Sequence, residues 1–251
     1  MLKIHEHGAV AEIEMDRPPV NAMNQEFVDE LTRVYGNLSA SGARAIVISG
    51  REGLFSAGLD VPALLGKSRH EITAFWASFF RLMSVIAASP VPVAAAITGH
   101  APAGGAILAL HCDYRVAAQG EYGIGLNEVQ VGLPVPVNIL FMLEFVIGGR
   151  KAMSLASTGA LLTPDQALAI GLVDELVRAD QAVAAALAWC EKMLVLPPQA
   201  MNTTRLNAKS VVIAKAQDNE SYASTAADYW FSAETQAAMS RLVDKLGKKK
   251  D

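Results

Sequence analysis

The stretch that decides the fold spans residues 91–118 and reads VPVAAAITGHAPAGGAILALHCDYRVAA. Residues 91–97 form a short apolar run, which is typical of a strand buried on both faces. A glycine-rich loop over residues 99–105 follows, a helical segment begins near Gly104, and residues 113–118 predict a second strand. This order of strand, helix and strand is the repeating unit of a sheet that is covered by helices.

The same region has a feature that resembles a membrane span. Residues 82–112 carry no Asp, Glu, Lys or Arg, and the run is long enough to cross a bilayer. Prolines and glycines interrupt it at Pro90, Pro92, Gly99, Pro102, Gly104 and Gly105. Because such residues break helices, the pattern predicts the interior of a globular α/β protein, and we expect no membrane partner.

Strands and helices alternate on both sides of this stretch. Upstream, the apolar pattern predicts strands at residues 10–15 and 45–48 and helices at residues 25–38 and 70–88. The upstream half of the chain therefore repeats the α/β pattern.

Downstream, a helix with both of its end signals is followed by a strand. Thr163 can cap this helix, Pro164 suits its first turn and Gly171 suits its end. Residues 172–177 then predict a strand.

After about residue 180 the signals are helical only. An amphipathic segment over residues 180–195 ends at Pro197-Pro198, and two further helical stretches lead to the tail Lys248-Lys249-Lys250, which we expect to be solvated. We therefore divide the chain into an α/β core at residues 1–180 and a C-terminal helical region at residues 181–251.

Composition excludes several classes of function. The chain has 251 residues, of which 52% are hydrophobic and 18% charged, so it can bury a large core. Its net charge of −4 creates no field that attracts nucleic acid. Cys112 and Cys190 lie far apart without ligand spacing, so we expect buried free thiols and no metal site. The N-terminal residues MLKIHEHGAV contain no apolar run of signal-peptide length, and we expect a cytoplasmic location.

Two loops that follow predicted strands carry small residues. The first, residues 53–60, reads GLFSAGLD, and the second is the loop over residues 99–105. The second loop leads into a helix whose first N–H groups are unpaired, so it could bind negative charge on an oxygen, although tight packing also explains its glycines. It lacks both the Gly-Lys-Ser/Thr ending and the GxGxxG pattern, which disfavours a nucleotide cofactor.

A single carboxylate, Glu128, lies among apolar and glycine neighbours in the sequence YGIGLNEVQVGLP. Such surroundings would raise the pKa of its carboxyl and allow proton exchange near neutral pH, while a structural ion pair is the alternative. The neighbouring Asn127 is either a hydrogen-bond partner of this group or a turn residue.

Three segments, FSAGLD, GHAPAGGAILALHCDYRV and YGIGLNEVQVGLPVP, occur here in an order and spacing that resemble the crotonase, or enoyl-CoA hydratase/isomerase, superfamily. The resemblance runs from about residue 10 into the C-terminal helices and is greatest to the mitochondrial type of Δ3,Δ2-enoyl-CoA isomerase. It implies an α/β spiral of repeated ββα units with a C-terminal helical trimerisation region. It also implies an acyl-CoA thioester as substrate and assembly as a trimer or a dimer of trimers.

The resemblance also implies roles for individual residues. The backbone N–H groups of Ala57 and Gly104 match the oxyanion donors, and Glu128 matches the acid/base glutamate. The segment that lines the coenzyme A site matches Ala57, Gly58, Leu59, Asp60 and Val61 together with Gly104. The hydratases of the superfamily carry a second glutamate at the position of Ile107.

An apolar residue at position 107 favours isomerisation over hydration, because hydration requires groups that hold and polarise a water molecule. We expect an isomerase that shifts a 3-enoyl-CoA double bond to trans-2-enoyl-CoA by proton transfer through Glu128, with no metal or redox cofactor. The alternatives are a hydratase or another enolate-stabilising enzyme, and a catalytically silent protein that binds acyl-CoA or a protein partner.

Some neighbouring residues carry smaller expectations. We expect Asp60 to orient its loop and His100 to be structural. The aromatic residues Phe75, Trp76, Phe79 and Phe80 on one predicted helix belong either to the core or to a pocket for the acyl chain.

Overall fold

The computed structural model describes residues 1–216 and 219–247. The strands, numbered in chain order, are β1 (Leu2–His7), β2 (Val10–Met15), β3 (Ala45–Ser49), β4 (Gly53–Leu54), β5 (Val93–Ile97), β6 (Gly99–Pro102), β7 (Tyr114–Ala118), β8 (Ile124–Gly125) and β9 (Glu175–Val177). The helices are α1 (Gln25–Ala40), α2 (Val61–Leu64), α3 (Arg69–Ala87), α4 (Gly104–His111), α5 (Val137–Ile147), α6 (Gly149–Thr158), α7 (Pro164–Ile170), α8 (Ala182–Leu194), α9 (Pro198–Lys215), α10 (Asn219–Trp230) and α11 (Ala233–Gly247). Short 3₁₀ helices cover Glu128–Val131 and Ala179–Gln181.

Two sheets carry the fold. The larger has the strand order β1-β2-β3-β5-β7-β9, and the smaller has the order β4-β6-β8. Neighbouring strands are parallel in both sheets except for β1, which is antiparallel to β2. The pairs β3–β4, β5–β6 and β7–β8 each add one strand to each sheet before the chain becomes helical again. This arrangement confirms the predicted spiral of repeated ββα units.

Strand β5 is buried on both faces because its side chains alternate between two apolar clusters. Ala94 and Ala96 pack in one cluster with Cys190 of α8. Val93 and Ile97 point the other way into the main core. The strand is thereby fixed from both sides, and so is the start of the loop that follows it.

The structure differs from the sequence prediction in a few places. Strand β1 and the helices α2, α5 and α6 have no counterpart in that prediction, and residues 99–102 of the glycine-rich loop form β6. In the described ranges 198–216 and 219–247 there are three helices, α9 to α11, where two were predicted. The lysine tail at residues 248–250 lies outside the described residues.

Other predictions concern burial and membrane contact. Cys112 and Cys190 are buried free thiols, as predicted. Within residues 1–216 and 219–247, no helix has both the length and the apolar character needed to cross a membrane. The division of the chain at residue 180 stays a prediction.

Candidate active site

A cavity of about 690 Å³ collects most of the predicted site residues. They line it together with side chains from α3, α4 and the C-terminal helix α11. The predicted site residues in its wall are Ala57, Leu59, Asp60, Val61, Gly104 and Glu128. Gly58 is not part of the wall, and its backbone lies against that of Gly104.

The backbones of the two glycine-containing loops touch at this cavity. Gly58 has a φ of +83°, and a Cβ atom built on it would lie 3.1 Å from the Gly104 nitrogen and 3.1 Å from the Ala103 Cβ. A Cβ on Gly104 would lie 3.3 Å from the Gly58 Cα. Only glycine therefore permits both the left-handed backbone and the close approach of the loops.

The pairing of the backbone N–H groups in the first loop corrects one sequence assignment. The Ala57 N–H donates to the Val20 carbonyl at 3.0 Å, so it is already paired. The Met23 N–H donates to the Gly58 carbonyl, and the Asp60 N–H donates to the Met23 carbonyl. The amide between them, the Leu59 N–H, has no acceptor within the described residues. Leu59, and not Ala57, thus offers the available donor of this loop.

The second loop offers the Gly104 N–H, the first amide of α4, which has no intrahelical acceptor. It follows Ala103, which adopts an unusual backbone with φ +46° and ψ −119°. The Ala103 N–H donates to the Gly125 carbonyl at 2.8 Å, and its own carbonyl accepts from the Ile107 N–H at 2.9 Å. These bonds hold the strained residue in place and so fix the direction of the amides that follow.

Glu128 begins the 3₁₀ helix Glu128–Val131 and is 5% exposed. Burial raises the pKa of its carboxyl from 4.5 to about 7, partly offset by its own backbone N–H. Neither carboxylate oxygen has a hydrogen-bond partner of normal geometry among the described residues. The alternative of a structural ion pair is therefore wrong. A buried, unpaired carboxyl group with this pKa can accept and release a proton near neutral pH.

Ile107, on the second turn of α4, lines the same cavity as Glu128 and is 3% exposed. Its side chain offers no donor or acceptor at the position where the family resemblance implies a second glutamate in hydratases. The polar group beside Glu128 is Asn127, whose Oδ1 is buried without a partner within residues 1–216 and 219–247. The Asn127 carbonyl accepts from the Gln130 N–H at 3.0 Å, which agrees with the alternative of a turn residue. No hydrogen bond joins its Oδ1 to Glu128 among the described residues.

Charged and polar residues at the rim hold the first loop. Asp60 caps α2 through the Ala63 N–H at 3.2 Å and pairs with Arg17 at 2.8 Å, which confirms its predicted role in orienting the loop. Arg17, which lines the cavity, was missed by the sequence prediction, because nothing in its local sequence indicates a partner more than forty residues away. His100 accepts from the Gly123 N–H at 3.0 Å, in agreement with a structural role.

The aromatic cluster of α3 divides between the two roles that the sequence left open. Phe75 and Phe80 lie in the core, whereas Trp76 and Phe79 also line the cavity. Met239 and Leu242 of α11 complete the apolar wall, and no sequence signal had indicated them.

Comparisons with known proteins show which family the chain resembles. A family model described as enoyl-CoA hydratase/isomerase matches residues 5–247. The chain is 32% identical to human mitochondrial enoyl-CoA delta isomerase 1 over 248 residues, which cover 96% of this chain and 82% of the relative. It is 31% identical to the probable enoyl-CoA hydratase EchA17 of Mycobacterium tuberculosis over 205 residues, covering 81% and 78%. The crystal structure of human mitochondrial delta3-delta2-enoyl-CoA isomerase superposes with a TM-score of 0.95 at 29% identity, covering 100% of this chain and 99% of that one.

Proposed function

The chain belongs to the enoyl-CoA hydratase/isomerase family, and from that membership we propose that it is an isomerase that converts 3-enoyl-CoA to trans-2-enoyl-CoA. The observation that carries the proposal is the buried carboxyl of Glu128, which is unpaired among the described residues and has a pKa of about 7, in a cavity that Ile107 also lines. One base is sufficient to move a proton between two carbon atoms.

In the proposed mechanism Glu128 removes a proton from C2 of the substrate. The electron pair delocalises over the double bond and the thioester carbonyl, giving a dienolate whose negative charge lies mainly on oxygen. The N–H groups of Leu59 and Gly104 donate to that oxygen, in place of the Ala57 and Gly104 pair expected from the sequence. Glu128 then returns the proton to C4, so that the double bond ends between C2 and C3 and no proton is gained or lost.

Hydration is the second candidate, since a probable hydratase is also among the relatives at 31% identity. It requires a water molecule that is held and polarised near C3, and the apolar Ile107 supplies no group for this. Binding of acyl-CoA without turnover is the third candidate.

An assay on purified protein distinguishes these candidates. The protein is given trans-3-hexenoyl-CoA, and the appearance of the conjugated thioester is followed while hydration of trans-2-hexenoyl-CoA is measured in parallel. Rapid conjugation with negligible hydration supports the proposal. Dominant hydration indicates a hydratase, and a ligand-induced rise in Tm without turnover indicates the silent protein.

The pKa of Glu128 predicts the pH dependence of the reaction. Because the carboxylate form is the base, kcat/KM should rise with pH, reach half of its maximum near pH 7 and level off above pH 8. The measurement is kcat/KM for trans-3-hexenoyl-CoA between pH 5 and 9, within the range where the protein stays folded. A constant value between pH 5 and 7 would show that Glu128 titrates at its ordinary pKa or is not the base.

Assembly, location and cofactor use also remain proposals that rest on the family resemblance and the sequence. We propose a trimer or a dimer of trimers, which sedimentation of the purified chain tests directly. The proposed reaction needs no metal and no redox cofactor, and the cytoplasmic location stays a prediction.

A further inference from the structure

A second cavity, of about 200 Å³, adjoins the first. The two cavities share a wall made of Trp76, Leu133, Pro134 and Pro136. The far side of the second cavity is formed by Val135, Val137, Tyr222, Thr225, Ala226 and Tyr229. Because Tyr229 and Val137 are about half exposed, this space leads toward the surface of the described chain.

Trp76 is the largest side chain in the shared wall, and aromatic contacts fix its ring. The indole stacks on Phe80 with centroids 5.3 Å apart and meets Phe79 edge-on at 5.8 Å. Trp230 of α10 packs against it at 6.4 Å in a second edge-on contact. With the ring 3% exposed and held on several sides, the wall is a rigid part of the core.

No polar contact requires a tryptophan at this position. The Trp76 indole N–H is buried and has no acceptor among the described residues. A smaller apolar side chain would therefore open the wall without leaving a buried acceptor unpaired. The indole closes the wall by its size.

The lining of the main cavity near Trp76 suits the alkyl chain of an acyl thioester. The charged side chains of the cavity are Arg17, Asp60 and Glu128, and the wall near Trp76 is apolar. An alkyl chain gains free energy for each methylene group that it buries there. The main cavity therefore has space for an alkyl chain that extends as far as the wall shared with the second cavity.

On the basis of the isomerase function proposed above, we propose that Trp76 sets the upper limit of acyl-chain length. The substrate chain ends against the indole, and the second cavity is the space that a longer chain would need. The protein accordingly prefers chains that are short enough to end at the indole over longer chains.

Binding of saturated acyl-CoA tests this inference without requiring turnover. Dissociation constants for hexanoyl-CoA and dodecanoyl-CoA are measured by calorimetry, below the micelle concentration, for the wild type and Trp76→Leu. Each additional methylene buried is expected to strengthen binding about fourfold, so the preference for dodecanoyl-CoA should increase at least tenfold in the variant. Trp76→Phe, which removes less volume, should shift the preference in the same direction and serves if Trp76→Leu does not fold.

Two further variants show where the longer chain goes. Phe75→Leu removes a buried ring of the same aromatic cluster. Because Phe75 lines neither cavity, this variant should leave the ratio of the two dissociation constants unchanged. Ala226 lines only the second cavity, and Trp76→Leu combined with Ala226→Leu should reverse most of the gain.

The outcomes separate this inference from the proposed function. An unchanged ratio in both Trp76 variants, or an equal increase in Phe75→Leu, overturns the role of Trp76 even if the wild type isomerises trans-3-hexenoyl-CoA. A shifted ratio in a protein that isomerises no 3-enoyl-CoA supports the role of Trp76 and overturns the isomerase. If the wild type binds neither acyl-CoA, both proposals are wrong.

Discussion

Replacing Glu128 by Gln is expected to lower the turnover of trans-3-hexenoyl-CoA by about a thousandfold or more. The amide has nearly the same shape as the carboxyl but cannot accept the C2 proton. Among the residues that the structure describes, the only other carboxylate in the cavity wall is that of Asp60, which is paired with Arg17. The measurement is the single-turnover rate of conjugation, which separates the chemical step from substrate binding.

A matched control is available in Glu12, a second buried glutamate at 6% exposure. Its carboxylate is paired with Ser49 at 2.6 Å and His7 at 2.9 Å, away from the cavity wall. Glu12→Gln should leave turnover unchanged, apart from any loss of stability. Turnover by Glu128→Gln within tenfold of the wild type would contradict the assignment of Glu128 as the base.

The stability of the Glu128→Gln variant shows whether its loss of activity is caused by unfolding. A carboxyl whose pKa is raised from 4.5 to about 7 in the folded protein binds more protons there than in the unfolded chain between these two pH values. Its contribution to the free energy of unfolding therefore falls as pH rises through this window, by up to about 3 kcal/mol. Glutamine does not titrate. The free energy of unfolding of the variant should therefore increase relative to that of the wild type as the pH rises from 5 to 8.

The second large effect is expected from Gly58→Ala, which should lower kcat by about a hundredfold, the scale of one lost oxyanion donor. The added methyl group would lie 3.1 Å from the Gly104 nitrogen and from the Ala103 Cβ. It would push the two loops apart and misplace the Leu59 and Gly104 N–H groups. The effect is measured as kcat for trans-3-hexenoyl-CoA.

Gly171→Ala is the control for backbone strain. Gly171 has the same φ of +83°, but a Cβ on it would contact nothing within 4 Å. Both substitutions should therefore cost about 1 to 2 kcal/mol of stability through the left-handed backbone, and only Gly58→Ala should affect turnover. Equal effects of the two variants on kcat would mean that the contact between the loops is unimportant for catalysis.

Local sequence patterns were sufficient to predict most of the core elements of the fold. The helix over Pro164–Ile170 is an example, since Thr163 and Gln166 form its capping box and Gly171 ends it in the left-handed conformation. Strand β1 was not predictable in this way. Its residues are mostly exposed and polar, so the strand depends on pairing with β2 and not on burial of an alternating face.

The parts of the site that the sequence did not predict depend on tertiary contacts. The Ala57 N–H is occupied by the Val20 carbonyl, whereas the bonds of Met23 to Gly58 and Asp60 leave the Leu59 N–H available. Val20 and Met23 are distant from this loop in the sequence. In the same way, helical spacing could not separate Trp76, which lines the cavity, from Phe75, which does not. The burial of Glu128 was predictable from the apolar residues directly around it, whereas its acid/base role was implied only by the family resemblance.

The central claim, that a single carboxylate carries the proton from C2 to C4, is tested most directly by isotope transfer. A 3-enoyl-CoA deuterated at C2 is converted in ordinary water, and the product is analysed by mass spectrometry and NMR for deuterium at C4. Because Glu128 is buried and takes part in both steps, we predict that part of the label is retained at C4 in single turnovers. Complete replacement of the label by solvent hydrogen at C4, even in the first turnover, would contradict the claim and indicate a second group that delivers the proton.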